Sequence, residues 1–220
     1  MEYRHIQSIE PVAEYLATRI AENLAAGKRV LWLVSGGSGI EVGCLAAQKL
    51  AGQDLSNLAV TLTDERYGDV GHADENWQQL LESGFALPGA LLYRPLTGEA
   101  RDITATRFGD WLAGQLEKAD YSIGLFGIGT DGHTAGIKPD SAAIGGRGWA
   151  IDFTGEDFER ITMTFPAIEA LNEVVLQAMG GSKAAVVHAL LHEDTPPEVA
   201  PMQVLKRAST STLFTDVEEA

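Results

Sequence analysis

The segment GIGTDGHTAG, residues 127–136, places one histidine in surroundings that suit proton transfer. An apolar run typical of a strand leads into it, and glycines follow at once. A neutral imidazole is the side chain best suited to accept a proton near neutral pH, and a neighbouring carboxylate can orient it. We therefore predict that His133 is a general base and that Asp131 or Asp64 orients it. The alternative is a structural histidine that is hydrogen-bonded to the backbone.

Two further features suit the binding of an anion. The segment SGGSG, residues 35–39, lies between a predicted strand and a predicted helix, where glycines admit a close ligand and the helix start favours negative charge. It matches neither the dinucleotide-binding nor the nucleoside-triphosphate-binding loop. Arg160 opens a strand, and Lys183 opens a helix, where a lysine is unfavourable unless an anion lies nearby. The alternatives are an ordinary tight turn and a solvent-facing lysine.

The segment TDERYGDVGHADENW, residues 63–77, is rich in charged side chains. Asp64, Glu65 and Arg66 end a predicted strand, which is costly unless they are exposed or paired. A solvated charge cluster is the alternative. Histidine and carboxylates follow within this segment, but their close spacing on a loop is a weak metal signal, and no metal ligand set is evident. His188 and His192 have a spacing that can bind metal, yet we interpret them as ordinary helix residues.

Strands and helices alternate along most of the chain. Continuous apolar runs or alternation predict strands at 29–35, 58–64, 121–129, 160–166, 173–180 and 211–215. Helical periodicity predicts helices at 11–26, 40–50, 76–84, 103–118, 182–192 (with Ser182 as N-cap) and 201–207. The pattern predicts an α/β fold with a mostly parallel central sheet flanked by helices, and in such folds ligands bind beyond the carboxyl ends of the strands. The groups named above are expected at strand ends of this one sheet.

Composition limits the function classes. The 220 residues carry a net charge of −15, which disfavours nucleic acid and anionic membranes as partners. No apolar run approaches the ~20 residues that span a bilayer, and no secretory signal is recognisable. Cys44 is the single cysteine, so we expect a small buried residue and no disulfide. We expect one domain, residues 1–220, in the cytoplasm.

The chain resembles the 6-phosphogluconolactonases in the motifs SGGSG, DERYGDVGHADENW, GIGTDGHTAG, RITMTFP and GGSK, in that order, over about residues 5–216. That family is related to the glucosamine-6-phosphate deaminases/isomerases and shares their Rossmann-like fold. Arg66 stands where the isomerases usually have tyrosine, which favours the lactonases. Lys138 stands where the isomerases have a glutamate that helps sugar ring opening. The chain departs from the lactonases at Gly39 and Ile40, at Gly68, and at 136–138.

The resemblance implies hydrolysis of 6-phosphogluconolactone to 6-phosphogluconate in the pentose phosphate pathway, without cofactor or metal. His133 would activate a water, and Arg66 with backbone N–H groups near Gly132 would stabilise the developing oxyanion. The phosphate ligands would be Gly36, Gly37, Ser38, Arg160 and Lys183. The partner is then a phosphorylated sugar lactone, and the protein is expected to be a monomer or small homo-oligomer. The alternatives are an isomerase or deaminase of the glucosamine-6-phosphate type and a non-catalytic sugar-phosphate-binding protein.

Overall fold

The computed structural model describes residues 1–219, which form two sheets flanked by helices. The strands are β1 (Glu2–His5), β2 (Val30–Val34), β3 (Leu58–Leu62), β4 (Asp64–Arg66), β5 (Leu91–Leu92), β6 (Tyr121–Gly127), β7 (Ala150–Thr154), β8 (Glu159–Met163), β9 (Glu173–Ala178) and β10 (Thr210–Thr215). The α-helices are α1 (Glu10–Ala25), α2 (Gly39–Lys49), α3 (Asn76–Glu82), α4 (Arg101–Lys118), α5 (Phe165–Glu169) and α6 (Ala184–His192). Short 3₁₀ segments cover Ala142–Gly145, Gly181–Lys183 and Pro201–Arg207.

The central sheet is parallel throughout and has the strand order β1-β10-β9-β6-β2-β3-β5. All five side chains of β2 are buried, because both faces of the sheet are covered. Leu31 and Leu33 pack with the core on the side of α4, α5 and α6, whereas Trp32 packs with the core on the side of α1, α2 and α3. The predicted three-layer fold with a mostly parallel central sheet is confirmed.

A second, antiparallel sheet of three strands has the order β4-β8-β7. β4 begins two residues after β3 ends, and the amide of Met163 in β8 donates to the carbonyl of Thr63 between them at 3.0 Å. The expectation that all the site groups stand at strand ends of one sheet is therefore wrong. Asp64, Arg66 and Arg160 belong to this small sheet, which folds over the carboxyl edge of the central one.

Two predicted elements end or begin differently in the structure. The strand predicted at 160–166 ends at Met163, because Pro166 lies in the first turn of α5 and Thr164 accepts a hydrogen bond from Ala167 as its N-cap. Ser182 is not an N-cap, since it lies in the 3₁₀ segment before α6 and Lys183 occupies the cap position without a side-chain bond.

Among residues 1–219, every helix is too short or too polar to cross a membrane. Cys44 is buried, as predicted, with its thiol within 3.9 Å of the Leu80 carbonyl oxygen.

Candidate active site

A cavity of about 400 Å³ opens at the carboxyl edge of the central sheet, between that edge and the small sheet. The order in which the chain adds strands to the central sheet reverses between β2 and β6. The loops that follow these two strands form the floor of the cavity. The lining residues are Ser35, Gly36, Gly37, Ser38, Asp64, Arg66, Asn76, Gly127, Ile128, Gly129, Thr130, Asp131, His133, Ala135, Lys138, Asp157, Phe158, Arg160 and Lys183. Of the predicted site residues, Gly132 alone is not among them.

The loop at 35–38 joins β2 to the start of α2. Gly37 has φ +56°, a left-handed conformation that glycine adopts without strain. Gly36 lies against the side-chain amide of Asn76, so closely that a Cβ there would stand 2.4 Å from it. The backbone can therefore face the cavity directly, at the N-terminus of α2, where the helix dipole favours an anion.

His133 and Asp131 form a hydrogen-bonded pair on the loop after β6. The Asp131 carboxylate oxygen Oδ1 lies 2.6 Å from His133 Nδ1 and also accepts from the His133 backbone amide at 3.1 Å. Gly129 makes this pairing possible, because a Cβ at that position would stand 2.0 Å from His133 Nδ1. Gly129, four residues before the histidine, is thus required by packing against the imidazole.

The charge state of Asp131 fixes the tautomer of the histidine. Partial burial opposes ionisation, but the hydrogen bonds from the backbone and ring of His133 outweigh it and lower the pKa of Asp131. An ionised carboxylate can only accept, so His133 Nδ1 carries the proton and donates it. The lone pair of the neutral ring then lies on Nε2, where it can accept a proton from a ligand or water.

Asp64, the other carboxylate considered for orienting the histidine, makes different contacts. It is buried, it accepts a hydrogen bond from the Thr63 hydroxyl at 3.0 Å, and its Oδ2 lies 3.9 Å from Arg160 Nη1. Burial raises the pKa of Asp64, although Arg160, the Thr63 hydroxyl and His133 act against it. The carboxylate bonded to the imidazole is therefore that of Asp131.

Two arginines stand opposite each other across the small sheet. Arg66 of β4 and Arg160 of β8 are register partners, so their side chains share one face. Both guanidinium groups lie over the ring of Phe158, with Cζ at 4.6 Å and 5.5 Å from its centroid. The Nε atom of each is buried and has no hydrogen-bond partner among residues 1–219. Unpaired buried donors are costly, and an anionic ligand would satisfy them.

Two lysines complete the charged wall. Lys183 Nζ donates to the Ile128 carbonyl oxygen at 2.6 Å, which holds it against the loop that carries His133. Lys138 Nζ pairs with Asp157 Oδ2 at 3.0 Å. The cavity is therefore lined by four permanent cations and three aspartates, a cationic excess within an acidic protein.

Sequence reasoning did not assign a role to several lining residues. Asp157 and Phe158 lie in the turn between β7 and β8, and no motif marked them. Asn76 lies in the charged segment 63–77. Its position at the start of a predicted helix was the only indication of a role in the sequence. Its side chain donates to the Asp64 carbonyl oxygen at 3.1 Å, and its Oδ1 is buried without a partner among residues 1–219.

Four predicted or considered residues lie away from the cavity. The amide of Gly132 donates to the Gly129 carbonyl oxygen at 3.0 Å, so it is already engaged. His72 Nε2 lies 3.1 Å from the Arg66 carbonyl oxygen and shapes the loop behind β4. His188 and His192 contact each other on the exposed face of α6. Residues 1–219 contain no cluster of three or more side chains suited to hold a metal ion.

Glu65 links the small sheet to α3 from behind the cavity. It is fully buried and accepts hydrogen bonds from the backbone amides of Arg66 at 2.8 Å, Asn76 at 2.6 Å and Trp77 at 3.0 Å. One carboxylate therefore caps the first turn of α3 and fixes Asn76 and Arg66 relative to each other.

Comparison with known proteins identifies the family of this chain. The sequence model of the family described as glucosamine-6-phosphate isomerases/6-phosphogluconolactonase matches residues 5–214. The chain belongs to this family. The resemblance seen in the sequence motifs is thereby confirmed.

Relatives from both branches of the family share the fold. A 6-phosphogluconolactonase of Helicobacter pylori is 28% identical over 177 residues, which cover 76% of this chain and 77% of the relative. The solved structure of a 6-phosphogluconolactonase from Thermotoga maritima superposes with a TM-score of 0.84 at 19% identity, covering 97% of this chain and 98% of that one. A monomeric glucosamine-6-phosphate deaminase superposes with a TM-score of 0.79 at 19% identity, covering 98% and 97%. At such identities the solved structures establish the fold alone.

Proposed function

We propose that the chain hydrolyses 6-phosphoglucono-1,5-lactone to 6-phosphogluconate, the reaction of the pentose phosphate pathway. The observation that carries this proposal is the His133–Asp131 pair, which shares one cavity with a glycine-rich helix start and unpaired arginine donors. A proton acceptor next to an anion-binding wall suits a phosphorylated substrate that must be attacked by water. Relatives named 6-phosphogluconolactonase support the same reaction.

His133 is the general base of the proposed mechanism. Nε2 takes a proton from a water, the water oxygen bonds to C1 of the lactone, and the carbonyl electron pair moves to the carbonyl oxygen. When the carbonyl re-forms, the bond from C1 to the ring oxygen breaks, and the imidazolium returns the proton to that oxygen. The product carries a carboxylic acid at C1 and a hydroxyl at C5. Asp131 stabilises the transient positive charge on the ring, because it stays ionised at 2.6 Å from Nδ1.

Arg66 is the proposed donor for the developing oxyanion. The side chain lines the cavity and its Nε has no partner among residues 1–219, so the guanidinium has donors to offer to an oxyanion. The sequence also suggested the backbone N–H of Gly132 as an oxyanion donor. This N–H donates to the Gly129 carbonyl oxygen, so it has no part in the proposed mechanism.

The phosphate is proposed to bind between the loop at 36–38 and two cations. Arg160 offers a planar fork with an unpaired Nε, and Lys183 has two donors left after its bond to Ile128. Binding energy from this remote group fixes the lactone against His133, so it serves orientation of the reacting carbon.

The isomerase alternative lacks a carboxylate in the expected place. Lys138 occupies the position of the isomerase glutamate, and within residues 1–219 no glutamate lines the cavity. Glu65 points away from the cavity into backbone amides. The carboxylates that line the cavity are the aspartates Asp64, Asp131 and Asp157, so the glutamate of the isomerases has no counterpart at its own position.

A coupled assay tests the proposal. Glucose 6-phosphate is oxidised rapidly to the lactone, and formation of 6-phosphogluconate is compared with an enzyme-free sample, with His133→Ala and with His72→Ala as the matched control outside the cavity. We expect wild type and His72→Ala to accelerate opening and His133→Ala to lose about 10²-fold or more of the rate. Turnover of glucosamine 6-phosphate instead would favour the deaminase, and binding of 6-phosphogluconate without acceleration would favour the non-catalytic binder.

We further propose a cytoplasmic setting and a monomer or small homo-oligomer, with no nucleic acid partner. The net charge of −15 supports the absence of a nucleic acid partner.

A further inference from the structure

One oxygen atom of Asp157 receives two cations at the cavity wall. Lys138 Nζ lies 3.0 Å from Asp157 Oδ2, and Arg160 Nη2 lies 2.7 Å from the same atom. Lys138 comes from the loop after β6, whereas Asp157 and Arg160 are three residues apart, in the turn before β8 and in β8 itself. All three line the cavity.

The two cations are more buried than the carboxylate between them. The side chains of Lys138 and Arg160 are 25% and 11% exposed, and that of Asp157 is 40% exposed. Although partial burial opposes it, Lys138 and Arg160 hold the pKa of Asp157 well below its usual range. Asp157 therefore keeps its negative charge at every pH where the protein is expected to work, and it holds two like charges side by side.

Asp157 binds both cations through a single oxygen, so hydrogen-bond donors remain on each of them. Lys138 has three donors and uses one of them on Asp157, while Arg160 Nε has no partner among residues 1–219. Asp64 Oδ2 forms a second ion pair with Arg160 Nη1 at 3.9 Å, beyond hydrogen-bond distance. Lys138 and Arg160 thus keep free donors at the cavity, which suit the oxygens of a phosphate.

We propose that Lys138 is a specificity-determining residue that binds the phosphate of the substrate beside Arg160, and that Asp157 is the residue that positions Lys138. This inference rests on the proposed lactone hydrolysis and adds a third cation to the phosphate subsite. Lys138 is bonded to the Arg160 cluster and not to the His133–Asp131 pair, so its charge acts at the phosphate end of the substrate.

The test compares a phosphorylated with an unphosphorylated lactone. Lys138→Met keeps the length of the side chain and removes the charge, Lys138→Arg restores it, and Lys49→Met is the matched control that breaks an exposed lysine–carboxylate pair with Glu14. With 6-phosphoglucono-1,5-lactone, we expect Lys138→Met to lower kcat/KM about tenfold, mainly through KM, because a hydrogen bond to a charged group is lost. With glucono-1,5-lactone, its rate should equal that of wild type. Lys138→Arg and Lys49→Met should behave like wild type with both substrates.

An equal loss with both lactones would overturn the proposal, because Lys138 would then act at the ring. So would no loss with either. Titration calorimetry with inorganic phosphate separates this outcome from failure of the proposed function, because it needs no turnover: we expect Lys138→Met to raise the Kd about tenfold, and an unchanged Kd overturns the inference. For Asp157, the Lys138→Met penalty should shrink in an Asp157→Ala background, and an undiminished penalty would remove its positioning role.

Discussion

Gly129→Ala should inactivate the proposed base without removing any functional group. A Cβ at this position would stand 2.0 Å from His133 Nδ1 and 2.3 Å from Asp131 Oδ1, whereas ordinary contacts begin near 3.4 Å. Both the imidazole and the carboxylate must therefore move by more than about 1 Å, which displaces the hydrogen-bonded pair from its position in the cavity.

The size of the effect follows from the displacement. A misplacement of about 1 Å at a reacting group costs on the order of 10²-fold in rate. We therefore expect kcat to fall about 10²-fold. KM should change little, because the phosphate ligands lie on other loops. The free energy of unfolding should fall by about 1 kcal/mol or less, since the pair is partly exposed.

The coupled lactone assay measures kcat and KM, and urea unfolding measures stability. Gly114→Ala is the control, because a Cβ there, in α4, meets no atom within 4 Å. A Gly129→Ala protein with wild-type kcat would refute the requirement for the His133–Asp131 contact. Loss of the fold would show that the glycine serves stability and not the geometry of the base.

Two further predictions concern buried groups. Burial raises the pKa of Glu65 to about 8, against the opposing amides of Trp77 and Asn76, so the folded chain binds a proton that the unfolded chain has released above its ordinary pKa of 4.5. As the pH rises from about 4.5 to 8, this group alone should lower the free energy of unfolding by about 1.4 kcal/mol per pH unit. Urea unfolding should therefore show a flatter pH dependence of stability for Glu65→Gln than for wild type. Parallel pH profiles of the two proteins would contradict this. Burial also raises the pKa of the Cys44 thiol, so a thiol-specific reagent should label it only on unfolding, and rapid labelling of the native protein would be the contrary result.

Much of the fold follows from apolar patterning, and the exceptions have physical causes. Strands such as β2 and β6 are continuous apolar runs because helices cover both faces of the sheet. β5 has two residues and lies at the edge, and β7 is only partly buried, so neither has a strong pattern. The small sheet depends on pairing between residues about 100 positions apart, which local sequence does not encode.

Residues of the candidate site could be predicted where a side chain or loop suited to chemistry directly follows the end of a predicted strand. His133 and the loop at 36–38 lie in one cavity because the carboxyl ends of neighbouring parallel strands meet there. Their roles remain predictions. Asp157 could not be found from the sequence, because its importance comes from a turn that brings it to Lys138 and Arg160, and a lone aspartate near a glycine is common in any turn.

The facing arginines of the small sheet imply a conflict between folding and function. Arg66 and Arg160 are directly opposed in register, and like charges in such positions destabilise a sheet. Arg160 has Asp157 and Asp64 as counter-ions, whereas Arg66 forms no ion pair among residues 1–219, so a bound anion would reduce the repulsion between the two arginines. Replacing Arg66 with threonine should therefore raise the free energy of unfolding and lower the catalytic rate. Selection for stability alone would thus favour the loss of this arginine before other changes.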